Sequence, residues 1–377
     1  MKKTLFIIIS CFAATFVCAQ NKKLFSPADV LNEKNLGDPR VSPDDKWVAY
    51  TLSEVDTAKD KSVSHLWMQS LTGSESIELT HGSEDATSPR WSPDGKYLSF
   101  LSSRESKNGS QLWLLDRRGG EAKKLTDVKG SLNDYAWSPD AKQLVLLVQD
   151  PENGGKEEPK TPSPIRIDSY HFKQDIDGYL HHLHTHLYLF NLETEKLDTL
   201  TKGNTDEQSP EWSPDGKLIA FVSNHSADPE KNDNMDIFTI EAKVKGELKQ
   251  LTTWKGHDTS PKWSPDGKFI AYLRSTSDVD YIMYDQDILC LMNADGTGNQ
   301  MLTLKMDRPV ATPNWSKDSK CIAFTVTDDR RSYLAQYDLG SKKISMLCTG
   351  EYGIAAEVPF MAANWVVELS TPYLPAE

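Results

Sequence analysis

The sequence predicts an all-β chain folded as a β-propeller, and three observations carry that prediction. A hexapeptide recurs with a period of about 50 residues, each period holds several short strand signals, and no segment has helical periodicity over a helix's length.

The repeat is the strongest of the three. Trp91-Ser-Pro-Asp-Gly-Lys96, Trp212-Ser-Pro-Asp-Gly-Lys217 and Trp263-Ser-Pro-Asp-Gly-Lys268 are identical, and Trp137-Ser-Pro-Asp-Ala-Lys142 differs by one residue. Val41-Ser-Pro-Asp-Asp-Lys46 and Trp315-Ser-Lys-Asp-Ser-Lys320 are weaker copies, and one more period reaches Trp365. The interval from Trp137 to Trp212 is longer than the others, which places an insertion at residues 150–185, in the third unit.

The hexapeptide reads as a hairpin turn. Proline presets φ at about −65° in the first central position, and Asp94, Asp140, Asp215 and Asp266 tolerate the second. Gly95, Gly216 and Gly267 supply the positive φ that closes a type I turn with a bulge. Asp45, Ala141 and Ser319 replace that glycine, so strain or a different turn is expected in those three copies. The tryptophans are expected to fill the layer between neighbouring sheets.

Within a period the strand signals repeat in order. After Trp91 come Tyr97 to Leu101, Gln111 to Leu115 and a last run ending in Lys124-Leu125-Thr126; after Trp212 come Leu218 to Val222, Asp236 to Ile240 and Leu248 to Thr252. Four short strands per unit cannot bury both faces alone, so the units should stack radially as blades. The expectation is about seven four-stranded blades over residues 39–377, the last incomplete and opened by Trp365. A solenoid fits less well, because its repeats are usually shorter and have fewer strands.

Lys2 and Lys3, the apolar run from Leu5 to Val17 and Val17-Cys18-Ala19 read as a secretory signal over residues 1–19. The run is shorter than the ~20 residues that span a bilayer, so no integral membrane segment is expected after cleavage. The reading is export to the periplasm or medium. A lead-in over residues 20–38 carries a short helix capped by Ser26, with Pro27 in its first turn. The formal net charge of −13 and the even scatter of lysines argue against nucleic-acid binding. Cys290, Cys321 and Cys348 remain after the signal, and an odd number in apolar runs reads as free thiols.

Candidate chemistry is sparse. His182, His184 and His186 would share one face of a strand, but alternate side chains stand nearly 7 Å apart, by roughly twice the rise per residue, and do not converge on one ion. Asp175-Ile-Asp-Gly178 lacks the later ligands of a calcium loop. Asn293-Ala-Asp-Gly-Thr-Gly298 lacks the Lys-Ser/Thr pair and helix of a phosphate cradle. No metal and no cofactor are therefore expected. Glu157-Glu158 lies among Lys and Pro residues and reads as a solvated loop.

The wording of the repeats, with Leu-Thr closing a unit and Pro-x-Trp-Ser-Pro-Asp-Gly-Lys opening the next, resembles the propeller of the prolyl oligopeptidase family of serine peptidases. Phe25-Ser-Pro-Ala-Asp-Val30, Gly37-Asp-Pro-Arg-Val-Ser-Pro-Asp44 and the third-unit insertion, with Tyr170-His-Phe-Lys-Gln-Asp-Ile-Asp-Gly-Tyr179, are similar to its dipeptidyl-peptidase V and acylaminoacyl-peptidase branch. The resemblance implies an α/β-hydrolase domain after the propeller, peptide substrates acting through that domain, and an insertion near the cavity between domains. His171, Phe172 and Lys173 become candidate substrate-side residues by that resemblance. The 377 residues contain no Gly-x-Ser-x-Gly elbow, and no histidine follows His257, so no catalytic residue is assigned. The expected function is the substrate-gating propeller of an exported serine exopeptidase whose catalytic domain is missing from this chain, inactive alone. The alternative is a stand-alone binding propeller resembling TolB.

Overall fold

The computed structural model describes residues 26, 29–151, 164, 167, 169–170, 172–175, 178–180, 183–277, 285–329, 331–348, 353–354 and 369–370. Among them, six four-stranded antiparallel sheets follow one another along the chain, each with its strands in sequence order. These are the blades of a propeller. Their first strands are Asn35–Val41, Thr87–Trp91, Ser131–Trp137, Glu207–Trp212, Asp258–Trp263 and Val310–Trp315. Six such blades replace the expected count of about seven. Beyond them, Gly353–Ile354 pairs with Leu369–Ser370 in a two-stranded ribbon, and Trp365 lies outside the described residues.

First strands lie beside one another from blade to blade, which makes them the innermost layer around the axis. The fourth strands of blades 1 to 5, such as Ser76–Glu78 and Leu248–Gln250, are short and largely exposed at the rim, whereas that of blade 6, Lys343–Cys348, is longer. Short edges of this kind offer little to an incoming strand.

The turn motif folds alike in all six copies. In blade 2, Ser92 Oγ donates to Asp94 Oδ1 at 2.6 Å while accepting from the Tyr97 N–H, and the Gly95 N–H donates to the Ser92 carbonyl at 2.8 Å. The same carboxylate accepts from the Lys96 N–H. Asp45, Ala141 and Ser319 hold φ of 55°, 58° and 58°, close to the 66°, 70° and 72° of Gly95, Gly216 and Gly267. The three substituted copies therefore keep the same turn and carry the strain of an L-residue in the left-handed region.

Five apolar cores lie between successive blades, each holding one of the repeat tryptophans. Trp212, for example, packs among Val145, Leu147, Leu187 and Leu189 of blade 3 and Ile219, Phe221, Phe238 and Ile240 of its own blade. The indole N–H groups of Trp91, Trp212 and Trp315 donate to the carbonyls of Arg40, Ala136 and Lys262 in the preceding blade, at 2.9, 3.1 and 2.9 Å. Trp137 reaches its neighbour through Ser99, whose hydroxyl accepts from the indole and donates to the Arg90 carbonyl.

The Leu-Thr ending lies just beyond the fourth strand rather than in it. Each threonine hydroxyl accepts a backbone N–H from the third strand of its own blade, as Thr126 does from Leu112 and Thr252 from Ile237. This satisfies a buried donor where the ladder has stopped. The lead-in forms a 3-10 turn over Val30–Asn32, with Ser26 Oγ and N–H both donating to Asp29; Pro27 lies outside the described residues.

Candidate functional site

The axis is built by a bulge. In five of the first strands one residue bends into positive φ: Asp38, Ser88, Ser209, Ser260 and Thr312, at 50–52°. Each sits where the register with the second strand shifts. A bulge turns the strand and re-aims the next side chains. Here it brings Asp38, Arg40, Arg90, Glu211 and Lys262 together around the axis, where Asp134 of blade 3 joins them.

These charges pair between blades. Arg90 bridges Asp38 of blade 1 at 3.0 Å and Asp134 of blade 3 at 3.7 Å, and Lys262 of blade 5 meets Glu211 of blade 4 at 3.1 Å. Burial pushes the Asp134 carboxyl up, against the pull of Arg90, Lys262 and Arg40. Lys262 acts on it from two blades away. Burial also opposes the Arg90 charge, but Asp38 and Asp134 outweigh it and hold the guanidinium in its charged form. The collar therefore balances three cations with three carboxylates.

The opposite end of each strand pair opens on a face that carries the longer loops. The blade 3 insertion lies here, between Gln143–Gln149 and Thr185–Asn191. It contains a small hairpin of Lys173–Gln174 with Gly178–Tyr179. Phe172 is 38% exposed, Tyr179 40% and Tyr170 68%, so the hairpin presents aromatic surface to solvent. The Lys173 ammonium sits 5.9 Å from the centre of the Tyr179 ring, and the Tyr170 N–H donates to Glu230 of blade 4 at 2.7 Å. His171 lies outside the described residues, as do Glu157 and Glu158.

The histidine run does not gather a metal. His181 and His182 lie outside the described residues. His186 Nδ1 is 3.0 Å from the buried Glu207 carboxylate, which also accepts from Thr201, while His184 faces Asp206 at 3.3 Å. Glu207 holds the His186 imidazole above its ordinary pKa. Among the described residues no group of three or more suitable ligands converges. Cys290 and Cys321 are both free thiols, and burial pushes Cys290 up to about 12.

Between blades 5 and 6 the same face holds a cleft of about 560 Å³, lined by Asp233, His257, Asp285, Asp287, Ala311 and Thr327 among others. His257 Nε2 lies 3.0 Å from Asp287, whose carboxylate raises the imidazole pKa. Deeper between blades 4 and 5, Asp258 is fully buried against Arg274, and burial with the Asp258 charge pushes Asp236 up to about 6.

Sequence reasoning located the turn residues and the insertion but missed the collar and the cleft. The signal for the collar was the variable position of Pro-x-Trp, filled by Arg90, Glu211 and Lys262. Nothing in one repeat shows that it faces its counterparts. The cleft draws on loops of three blades and has no local signature.

The TolB beta propeller family model matches residues 184–285. Dipeptidyl-peptidase 5 of Porphyromonas gingivalis is 29% identical over 336 residues, 84% of this chain and 48% of that protein. The peptidase YuxL of Bacillus subtilis is 29% identical over 223 residues, 58% of this chain and 34% of its own length. The chain thus spans about half the length, or less, of these curated relatives. Among solved structures, the Pyrococcus horikoshii acylaminoacyl peptidase superposes with a TM-score of 0.70 at 19% identity, over 93% of this chain and 51% of that one. Taken with the six repeated blades, these likenesses show a β-propeller similar to the TolB beta propeller over residues 184–285 and, over most of its length, to part of dipeptidyl-peptidase 5.

Proposed function

We propose that the chain is the substrate-gating part of an exported serine exopeptidase acting on peptides, brought to the periplasm by the signal at residues 1–19. The observation that carries this reading is the extent of the dipeptidyl-peptidase match, which runs through most of the blades rather than one repeat. No Gly-x-Ser-x-Gly occurs in the 377 residues, so the chemistry belongs to a hydrolase domain outside them. The loop face, which carries Phe172 and Lys173, is the side assigned to the peptide, and His171, outside the described residues, is the third candidate contact. Connecting loops on a rigid scaffold are where such contacts are usually made.

The ribbon of residues 353–354 and 369–370 fits the inner strand pair of a seventh blade. Gly353–Ile354 lies beside Arg331–Asp338, the third strand of blade 6, as the first strand of blade 6 lies beside the third strand of blade 5.

The test uses the purified chain with chromogenic dipeptidyl and acyl-aminoacyl substrates and a serine-reactive probe. Neither turnover nor labelling is expected, and a hydrolase segment bearing Gly-x-Ser-x-Gly should be encoded in the same locus. Turnover with labelling would place a nucleophile in these residues and overturn the assignment. A locus without any hydrolase would favour a TolB-like binding propeller instead.

A further inference from the structure

Arg104 differs from most arginines of the chain in what it lacks. Arg40, Arg90, Arg117, Arg118, Arg274 and Arg308 each reach a carboxylate. Half-buried Arg104 reaches none among the described residues: its Nε–H donates to Ser102 Oγ at 3.2 Å, and its terminal N–H groups meet no protein acceptor there. Burial lowers the guanidinium pKa, and the charge of Glu105 beside it does not offset that. Holding a cation in this state costs stability, which packing alone gives no reason to accept.

The guanidinium is nonetheless fixed in place. Its central carbon lies over two rings, 5.0 Å from the centre of Phe100 and 4.8 Å from that of Trp113, and both rings are buried. They attract the charge through their faces and leave the in-plane N–H groups unused. The Trp113 indole N–H is itself buried with no partner among the described residues, so the stack presents donors and no acceptor. The loop is braced as well. Lys124 Nζ donates to the Glu105 carbonyl at 3.2 Å, and the Leu132 N–H of blade 3 donates to the Ser110 carbonyl at 3.0 Å. A cation with a set orientation and unused donors is preorganised for a ligand.

Its place in the fold indicates which ligand. Arg104 lies in the connection between Tyr97–Ser102 and Gln111–Asp116, the same connection that carries the insertion in blade 3. It therefore stands on the loop face, in the blade next to the one that bears Phe172 and Lys173. We propose that Arg104 is a carboxylate-binding residue, taking the C-terminal carboxylate or an acidic side chain of a peptide on its terminal N–H groups. A planar guanidinium meets a planar carboxylate through two parallel hydrogen bonds, which adds direction to charge. The identity of the ligand rests on the peptidase reading, whereas the site rests on the stack alone.

Phenylglyoxal, which modifies guanidinium groups, reads the site in the full chain, with the rate at each arginine followed by mass spectrometry of the digest. Arg118, 80% exposed and paired with Asp116, is the control. The probes are a tetrapeptide of uncharged side chains with a free C terminus, its C-terminal amide, and an amide bearing one aspartate. The free acid should slow modification of Arg104 but not of Arg118, and the plain amide should slow neither. Protection by the aspartyl amide as well would make an acidic side chain a second source of the same carboxylate. In a titration of the N-terminally labelled acid, Arg104→Gln should weaken binding about tenfold, the scale of a hydrogen bond to a charged group, and Arg104→Lys, with charge but no fork, should fall between. Equal modification of Arg104 under all three peptides, with an unchanged Arg104→Gln titration, would overturn the site and leave the peptidase reading standing. Acetate protecting Arg104 where no peptide does would overturn the peptide as ligand and that reading with it.

Discussion

Ala141 and Gly216 occupy the same place in two copies of one turn, with φ of 58° and 70° and matching hydrogen bonds to the carbonyls of Ser138 and Ser213, both at 2.9 Å. Exchanging them is therefore a reciprocal experiment on backbone strain. An L-residue in the left-handed region costs roughly 1–2 kcal/mol, and glycine returns about 0.4–1 kcal/mol of that through the greater freedom of the unfolded chain. Ala141→Gly should stabilise the propeller by about 0.5–1 kcal/mol on those figures. Gly216→Ala should destabilise it by a similar amount, about 1 kcal/mol, since the new Cβ meets only Pro139 Cδ at the ordinary distance of 3.7 Å. Urea unfolding followed by circular dichroism reads both, as midpoints moving in opposite directions at unchanged slope. A lower midpoint for Ala141→Gly, or no change for Gly216→Ala, would refute the reading that all copies share one turn and that strain alone separates them.

Two further outcomes follow from named side chains. The Trp212 indole donates to the Ala136 carbonyl, whereas the buried Trp263 Nε1 has no partner among the described residues, so Trp212→Phe should cost about 1 kcal/mol more than Trp263→Phe in the same urea assay. His186 is held above its ordinary pKa of 6.5 by Glu207, which makes its contribution to stability complete below that value and lost as pH rises through the raised one. Unfolding midpoints of the native chain should fall over that window relative to those of His186→Gln, and parallel pH profiles would remove His186 as the cause.

The sequence by itself determined the blade. Proline, aspartate and glycine at fixed offsets can form only a narrow set of turns, and the alternation of short apolar runs with such turns leaves little besides a four-stranded antiparallel sheet. It also located the insertion, through one long interval in an otherwise even spacing, and the tryptophan layer. It did not reveal that Asp45, Ala141 and Ser319 keep the turn, because whether a site tolerates left-handed strain depends on the hydrogen bonds around it. Nor did it separate six complete blades from about seven: the last expected start, Trp365, has the tryptophan but not the Ser-Pro-Asp turn that makes a unit recognisable.

What tertiary structure decided is everything that joins one blade to another. Arg90, Asp134 and Lys262 are far apart in sequence, in blades 2, 3 and 5. Each is an unremarkable charge within its own copy. Only radial stacking turns equivalent positions into neighbours, since a repeat specifies its own hydrogen bonds locally while its partners are set by the closure of the ring.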